Sequence, residues 1–187
     1  MKIFFHSSIF AKQKYEKNYK TIVDICKSLG HTVFADHMLK RTHHDTDKFS
    51  RKQHEADFQR LTKQIKESDA VIVEGTAPSI GTGHYMTIAL HYLKPVLVLY
   101  QKNPHGVLVG DPNRLLVLKK YEIKNTEDIK HITNLFLKNA DDKKLKHRFN
   151  LMLDNQMVTY LKNKSMELKI SKADIIRKLI TQEGGNH

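Results

Sequence analysis

Short β-prone runs at residues 2–7, 70–73, 95–100 and 115–119 alternate with longer stretches of helical spacing, and this order constrains the fold more than anything else in the chain. The run Ala70-Val71-Ile72-Val73 is wholly apolar and too short for a helix, the pattern of a strand buried on both faces of a parallel sheet. Parallel neighbours require crossover connections, which the helical stretches supply in the right-handed sense. The expected fold is therefore α/β, a flavodoxin- or Rossmann-like parallel sheet in three layers, spanning residues 1–140.

The helical stretches carry their own signals. In residues 14–29, Tyr19, Ile22, Val23, Cys26 and Leu29 fall on one face and Gly30 closes the helix. Cys26 is thus a core residue rather than a reactive thiol. Residues 31–36 read as a second strand, and residues 37–52, polar and His-rich, as a long loop. Helices are predicted over 54–67, with Phe58, Leu61 and Ile65 on one face, then over 84–93 and 127–138. No apolar run reaches the roughly 18 residues of a membrane span, and lysines follow the first strand where a leader's cleavage site would lie. A cytoplasmic protein with no membrane partner is expected. Lys and Arg outnumber Asp and Glu by 32 to 20, a balance suited to a polyanionic partner.

In such a sheet ligands sit beyond the carboxyl ends of the strands. Two segments have that position: His6-Ser7-Ser8-Ile9, and the loop from Glu74 to Gly83. The hydroxyls of Ser7, Ser8, Thr76 and Ser79, together with Ile9, Pro78, Gly81 and Gly83, form a candidate nucleotide-binding set, the glycines allowing close backbone approach. The group His43-His44-Asp45 with Asp47 has metal-ligating side chains, but in an irregular loop without helical i, i+4 geometry it reads as a solvated surface. Neither metal nor cofactor is expected.

The run from Ser68 to Gly83, followed by Ala89 and Lys94-Pro95-Val96-Leu97-Val98-Leu99-Tyr100, resembles the nucleoside 2-deoxyribosyltransferase superfamily. The likeness is to its 2'-deoxynucleoside 5'-phosphate N-hydrolase branch and covers residues 1–138, including Phe5-His6-Ser7-Ser8-Ile9. It implies cleavage or transfer of an N-glycosidic bond through a glutamate in Gly-x-Gly-x-Glu, which meets positive charge developing on the sugar. This chain reads Gly81-Thr82-Gly83-His84-Tyr85, with Tyr85 where the nucleophile should stand. A phenol with a pKa near 10 is a poor replacement for a carboxylate. Asp57, in His54-Glu55-Ala56-Asp57, resembles the family's acidic substrate-positioning motif. Glu74 reads as a structural hydrogen-bonding group.

The charged stretch 139–144 reads as a linker, and residues 145–187 as a second domain. Phe149, Leu151 and Leu153 alternate with Arg148, Asn150 and Met152, and helices are predicted over 155–168 and 171–182, with Ser171 and Asp174 in capping spacing. Residues 147–179 resemble the ribbon-helix-helix DNA-binding family, with Lys169 at a turn that needs positive φ. The resemblance implies a homodimer or higher oligomer in which Arg148, Asn150 and Met152 face the bases of double-stranded DNA, while Ser171 and Lys172 hold a phosphate. An oligomerisation element that uses the same ribbon without DNA is the alternative. The leading expectation is a DNA-binding regulator whose N-terminal domain binds a nucleotide or nucleoside without turnover. The alternative is a deoxyribonucleoside or deoxynucleotide N-glycosidase or transferase with an altered active site.

Overall fold

The computed structural model describes residues 1–102, 106–142 and 151–184. The chain divides into two compact units, Met1–Arg148 and Phe149–His187. The first contains β1 (Lys2–Ser7), α1 (Lys12–Ser28), β2 (Thr32–Phe34), α2 (Asp36–Leu39), α3 (His43–Asp47), α4 (Arg51–Glu67), β3 (Ala70–Glu74), α5 (Ile80–His91), β4 (Val96–Tyr100), α6 (Gly106–Val109), β5 (Leu116–Lys120) and α7 (Thr126–Asp142). The five strands form one sheet in the order β2-β1-β3-β4-β5, and every neighbouring pair is parallel.

Alternation along each strand builds the layers. Ile3, Phe5, Ile72, Leu97 and Leu99 face α1 and α7, burying Tyr19, Ile22, Cys26, Ile129 and Leu137. Phe4, Val71, Val73, Val96 and Val98 face α4 and α5, burying Leu61, Ile65, Met86 and Ala89. Cys26 lies in the first of these cores, where burial pushes its thiol up to about 12. Gly30, with φ of +83°, follows the C-cap of α1 in the left-handed conformation that favours glycine.

Besides α7, which runs through Asp142 where a linker was expected from residue 139, two expectations need correction in this unit. Residues 37–52 are not one irregular loop, because α2 and α3 lie within them; Thr42 and Asp45 form a reciprocal capping box that starts α3. The other concerns α5, which begins at Ile80 rather than at residue 84, since the Ser79 hydroxyl accepts the Thr82 N–H at 3.3 Å. Gly81 and Gly83 therefore lie in the first turn of a helix, not in a loop.

The second unit contains α8 (Asn155–Leu168) and α9 (Lys172–Gly184). Asp154 caps α8 by accepting the Met157 N–H at 2.8 Å, and Ser171 accepts the Asp174 N–H at 3.1 Å at the start of α9. Lys169 between them has φ of 52°, the left-handed turn expected at that position. The ribbon strand is not seen: residues 151–154 have no regular structure, and Arg148, Asn150 and the rest of the segment lie outside the described residues.

Candidate active site at the carboxyl edge of the sheet

β1 lies between β2 and β3, so the chain turns to opposite sides of β1 and leaves a crevice beyond the carboxyl ends of β1 and β3. Ser7 and Glu74 stand opposite each other at these strand ends. The buried Ser7 hydroxyl donates to the Glu74 backbone carbonyl at 2.8 Å, and the Ser8 carbonyl accepts the Tyr19 phenol at 2.9 Å. Glu74 is fully buried. Its carboxylate accepts hydrogen bonds from Tyr121 (3.0 Å), Ser7 (3.3 Å), the Thr76 N–H (3.3 Å) and the Thr76 hydroxyl. Burial raises its pKa, against the lowering effect of these donors. Tyr121 also accepts from the Asn18 amide at 2.6 Å, and Thr76 accepts the Gln101 N–H at 3.1 Å. The hydroxyls of Ser7 and Thr76 are thus committed to holding strand ends together.

The groups around Tyr85 are differently disposed. α4 runs antiparallel to the strands, so its first turns reach the same edge as the start of α5. Asp57 on α4 accepts at one oxygen from both Arg41 (2.8 Å) and Arg60 (2.6 Å). Burial pushes the Asp57 carboxyl up, but the two guanidinium groups outweigh it and hold the pKa below the ordinary value. Asp57 is therefore ionised at neutral pH. Tyr85 sits among the rings of Phe4 (6.3 Å), His6 (4.8 Å), Phe58 (6.2 Å) and His84 (6.2 Å). Burial, and then the charge of Asp57, push its phenol up to about 12. At neutral pH Tyr85 keeps its proton.

Beneath them, His6 Nδ1 and His37 Nε2 share a 3.1 Å hydrogen bond, and both rings stack with Phe4. Burial lowers His6 to about 4, and burial together with the neighbouring His6, Arg60 and Arg41 lowers His37 well below its ordinary value. Both imidazoles are neutral. Sequence reasoning placed His6 in the first candidate segment without giving it a role, and it missed His37, Arg41 and Arg60 as site residues. Only the i, i+3 spacing of Asp57 and Arg60 on one helix could have signalled any of them.

At the mouth, Pro78 is exposed and Ser79 half-buried, and Ile9 packs against the core on the α1 side. Thr82, 5% exposed, has a hydroxyl with no partner among the described residues. With the N–H groups of the first turn of α5, this edge can receive an anion.

No established family profile matches the chain. A protein of Syntrophotalea carbinolica with the provisional name 2'-deoxynucleoside 5'-phosphate N-hydrolase 1 is 32% identical over 116 residues, 60% of this chain and 80% of that protein. The chain belongs to the 2'-deoxynucleoside 5'-phosphate N-hydrolase family. Similarly named proteins of Methanosarcina barkeri and Nematostella vectensis are 30% and 28% identical, with 77% and 90% of their lengths covered. Among solved structures, the Clostridium botulinum CMP N-glycosidase BcmB aligns with a TM-score of 0.51 at 17% identity, over 73% of this chain and 99% of that one. A 2-deoxyribosyltransferase of Bacillus psychrosaccharolyticus aligns with a TM-score of 0.53 at 18% identity, over 70% and 90%. These two establish the fold.

The family overturns the leading expectation of a DNA-binding regulator with a non-catalytic domain: the relatives are named as N-hydrolases, and the structural neighbours are a glycosidase and a transferase. That expectation rested on the ribbon-helix-helix resemblance, the basic balance and the glutamate missing at position 85, and it gave no weight to Arg41 and Arg60 around Asp57. Of its DNA-facing residues, Met152 is 96% exposed and Ser171 serves as a helix cap. Lys172 is exposed on the first turn of α9, and Arg148 and Asn150 lie outside the described residues.

Proposed function

We propose that the protein hydrolyses the N-glycosidic bond of 2'-deoxynucleoside 5'-monophosphates, with Asp57 rather than residue 85 supplying the catalytic carboxylate. The observation that carries this reading is the ionised Asp57 beside Tyr85, gripped by Arg41 and Arg60 at the open edge of the sheet. As the bond from C1' to the base lengthens, positive charge grows on the sugar, and the fixed carboxylate of Asp57 meets it. Tyr85, still protonated, offers a hydrogen bond instead of a covalent link. Water adds its oxygen to C1', and its proton is lost to solvent; the base departs with the bonding electrons and takes up a proton. The Ser79 and Gly81 end of α5 accepts the 5'-phosphate, while Ser7, Ser8, Ile9, Thr76, Pro78 and Gly83 shape the surrounding walls.

For the second unit we propose self-association through the helices rather than through the ribbon of the alternative expectation, with a second copy covering the apolar face of α8 and α9. Leu151, Met157, Tyr160, Leu179 and Ile180 line a groove of about 430 Å³. Met157 is 52% and Ile180 65% exposed. An apolar face of that kind is poorly stable in water without a partner.

The enzymatic reading is tested by incubating the protein with a panel of deoxynucleosides and their monophosphates and following free base by chromatography. Base release from monophosphates in preference to nucleosides is expected. Release from no member of the panel sinks the proposal.

A further inference from the structure

The segment between Arg41 and α4 gathers three metal-ligating side chains that the proposed reaction does not use. Residues 43–47 form a turn of helix, which places His43 and Asp47 at i, i+4 with His44 beside them. One donor atom from each of His43, His44 and Asp47 lies within 4.8 Å of the others. The two imidazole centroids are 3.8 Å apart. Among the described residues these donors make no hydrogen bond or ion pair to protein groups. The neighbouring carboxylate is already taken: Asp45 accepts both the N–H and the hydroxyl of Thr42 at 2.8 Å. The turn is braced from outside by the ring of Phe10, 5.6 Å from that of His43, and from within by the Thr46 hydroxyl, which donates to the His43 carbonyl at 2.7 Å.

We propose that His43, His44 and Asp47 form a binding site for a divalent transition ion of the zinc class, with water completing the coordination. Two imidazoles and one carboxylate match zinc, cobalt or nickel, whereas magnesium and calcium prefer oxygen ligands throughout. Bonds of about 2.0–2.2 Å require donors about 3.3 Å apart, so the present spacing closes by small rotations of exposed side chains. An isolated five-residue helix is not stable by itself, and an ion bridging its first and last residues supplies the constraint it lacks. The ion would thereby fix the turn that directly follows Arg41, one of the two grips on Asp57.

The test uses full-length protein without a histidine tag, freed of metal by chelator and titrated calorimetrically with zinc chloride and, separately, with magnesium chloride. One equivalent of zinc is expected to bind in the micromolar range, with no response to magnesium, and cobalt is expected to compete with a visible absorption band of low-symmetry coordination. His44→Ala and Asp47→Ala should each weaken zinc binding by about tenfold or more. His54→Ala, which changes an exposed histidine on α4, should leave it unaltered. Circular dichroism of each variant checks that the fold is kept. A stoichiometric zinc site that survives the double change His43→Ala/His44→Ala overturns the proposal, as does the absence of saturable zinc binding.

Discussion

The replacement at position 85 looks decisive in the sequence, yet its neighbours determine what it means. With its phenol pushed up to about 12, Tyr85 is not a ready nucleophile, whereas Asp57 keeps a charge poised beside it. Asp57→Asn is therefore expected to lower kcat by about 10²–10³, the loss typical of one preorganised electrostatic group. Tyr85→Phe removes one hydrogen bond, worth about 1 kcal/mol or roughly fivefold in rate. Steady-state kinetics on the two variants reads the difference, and the reverse ranking would make tyrosine the nucleophile. His6 leads to a pH prediction. Between its ordinary 6.5 and its folded value of about 4, the unfolded chain binds a proton that the folded chain does not, so stability rises with pH across this window and is lost on acidification. The loss at this fully buried group is on the order of 3 kcal/mol by pH 4. His6→Asn keeps a partner for His37 without a titrating ring. Urea melts at pH 7 and pH 4.5 should show a smaller acid loss for it than for the wild type.

At the scale of elements, the buried carboxylate of Glu74 joins the ends of β1 and β3 to the residue following β5 through Ser7, Thr76 and Tyr121. Tyr121→Phe takes one donor from a carboxylate that burial already disfavours, so a destabilisation of about 1–3 kcal/mol is expected in denaturant melts. Gly75 has a steric duty at the same edge: a Cβ there would stand 2.7 Å from Val98 Cγ1. Gly75→Ala should cost about 1–3 kcal/mol through displacement of β4, measurable by the same melts. The strands and the long helices were readable because strict apolar patterning accompanies burial on both faces of a sheet. The start of α5 was not, because two glycines argue for a loop while the Ser79 cap, a side-chain contact, decides for helix. For α3 likewise, polar composition hid a turn that the Thr42 and Asp45 capping box creates.

For the molecule as a whole, the two units differ in how far they satisfy themselves. The first buries both faces of its sheet. In the second, Leu161 and Ile175 are the buried apolar side chains among the described residues, while Met157 and Ile180 are more than half exposed. Self-association through α8 and α9 is the expected consequence, and sedimentation should show Met157→Asp/Ile180→Asp shifted to monomer; an unchanged mass would exclude this face. The order of the strands and long helices, the core alternation and the capping pair of α9 were determined by the sequence itself, because each shows in the pattern of residues a few positions apart. The family likeness was legible too, in the run from Ser68 to Tyr100. What the tertiary structure alone decided was the company each polar group keeps. Arg41 and Arg60 reach Asp57 from different elements, and His37 meets His6 across 31 positions. Charge and protonation state depend on burial and on neighbours in space, which spacing along a chain does not specify.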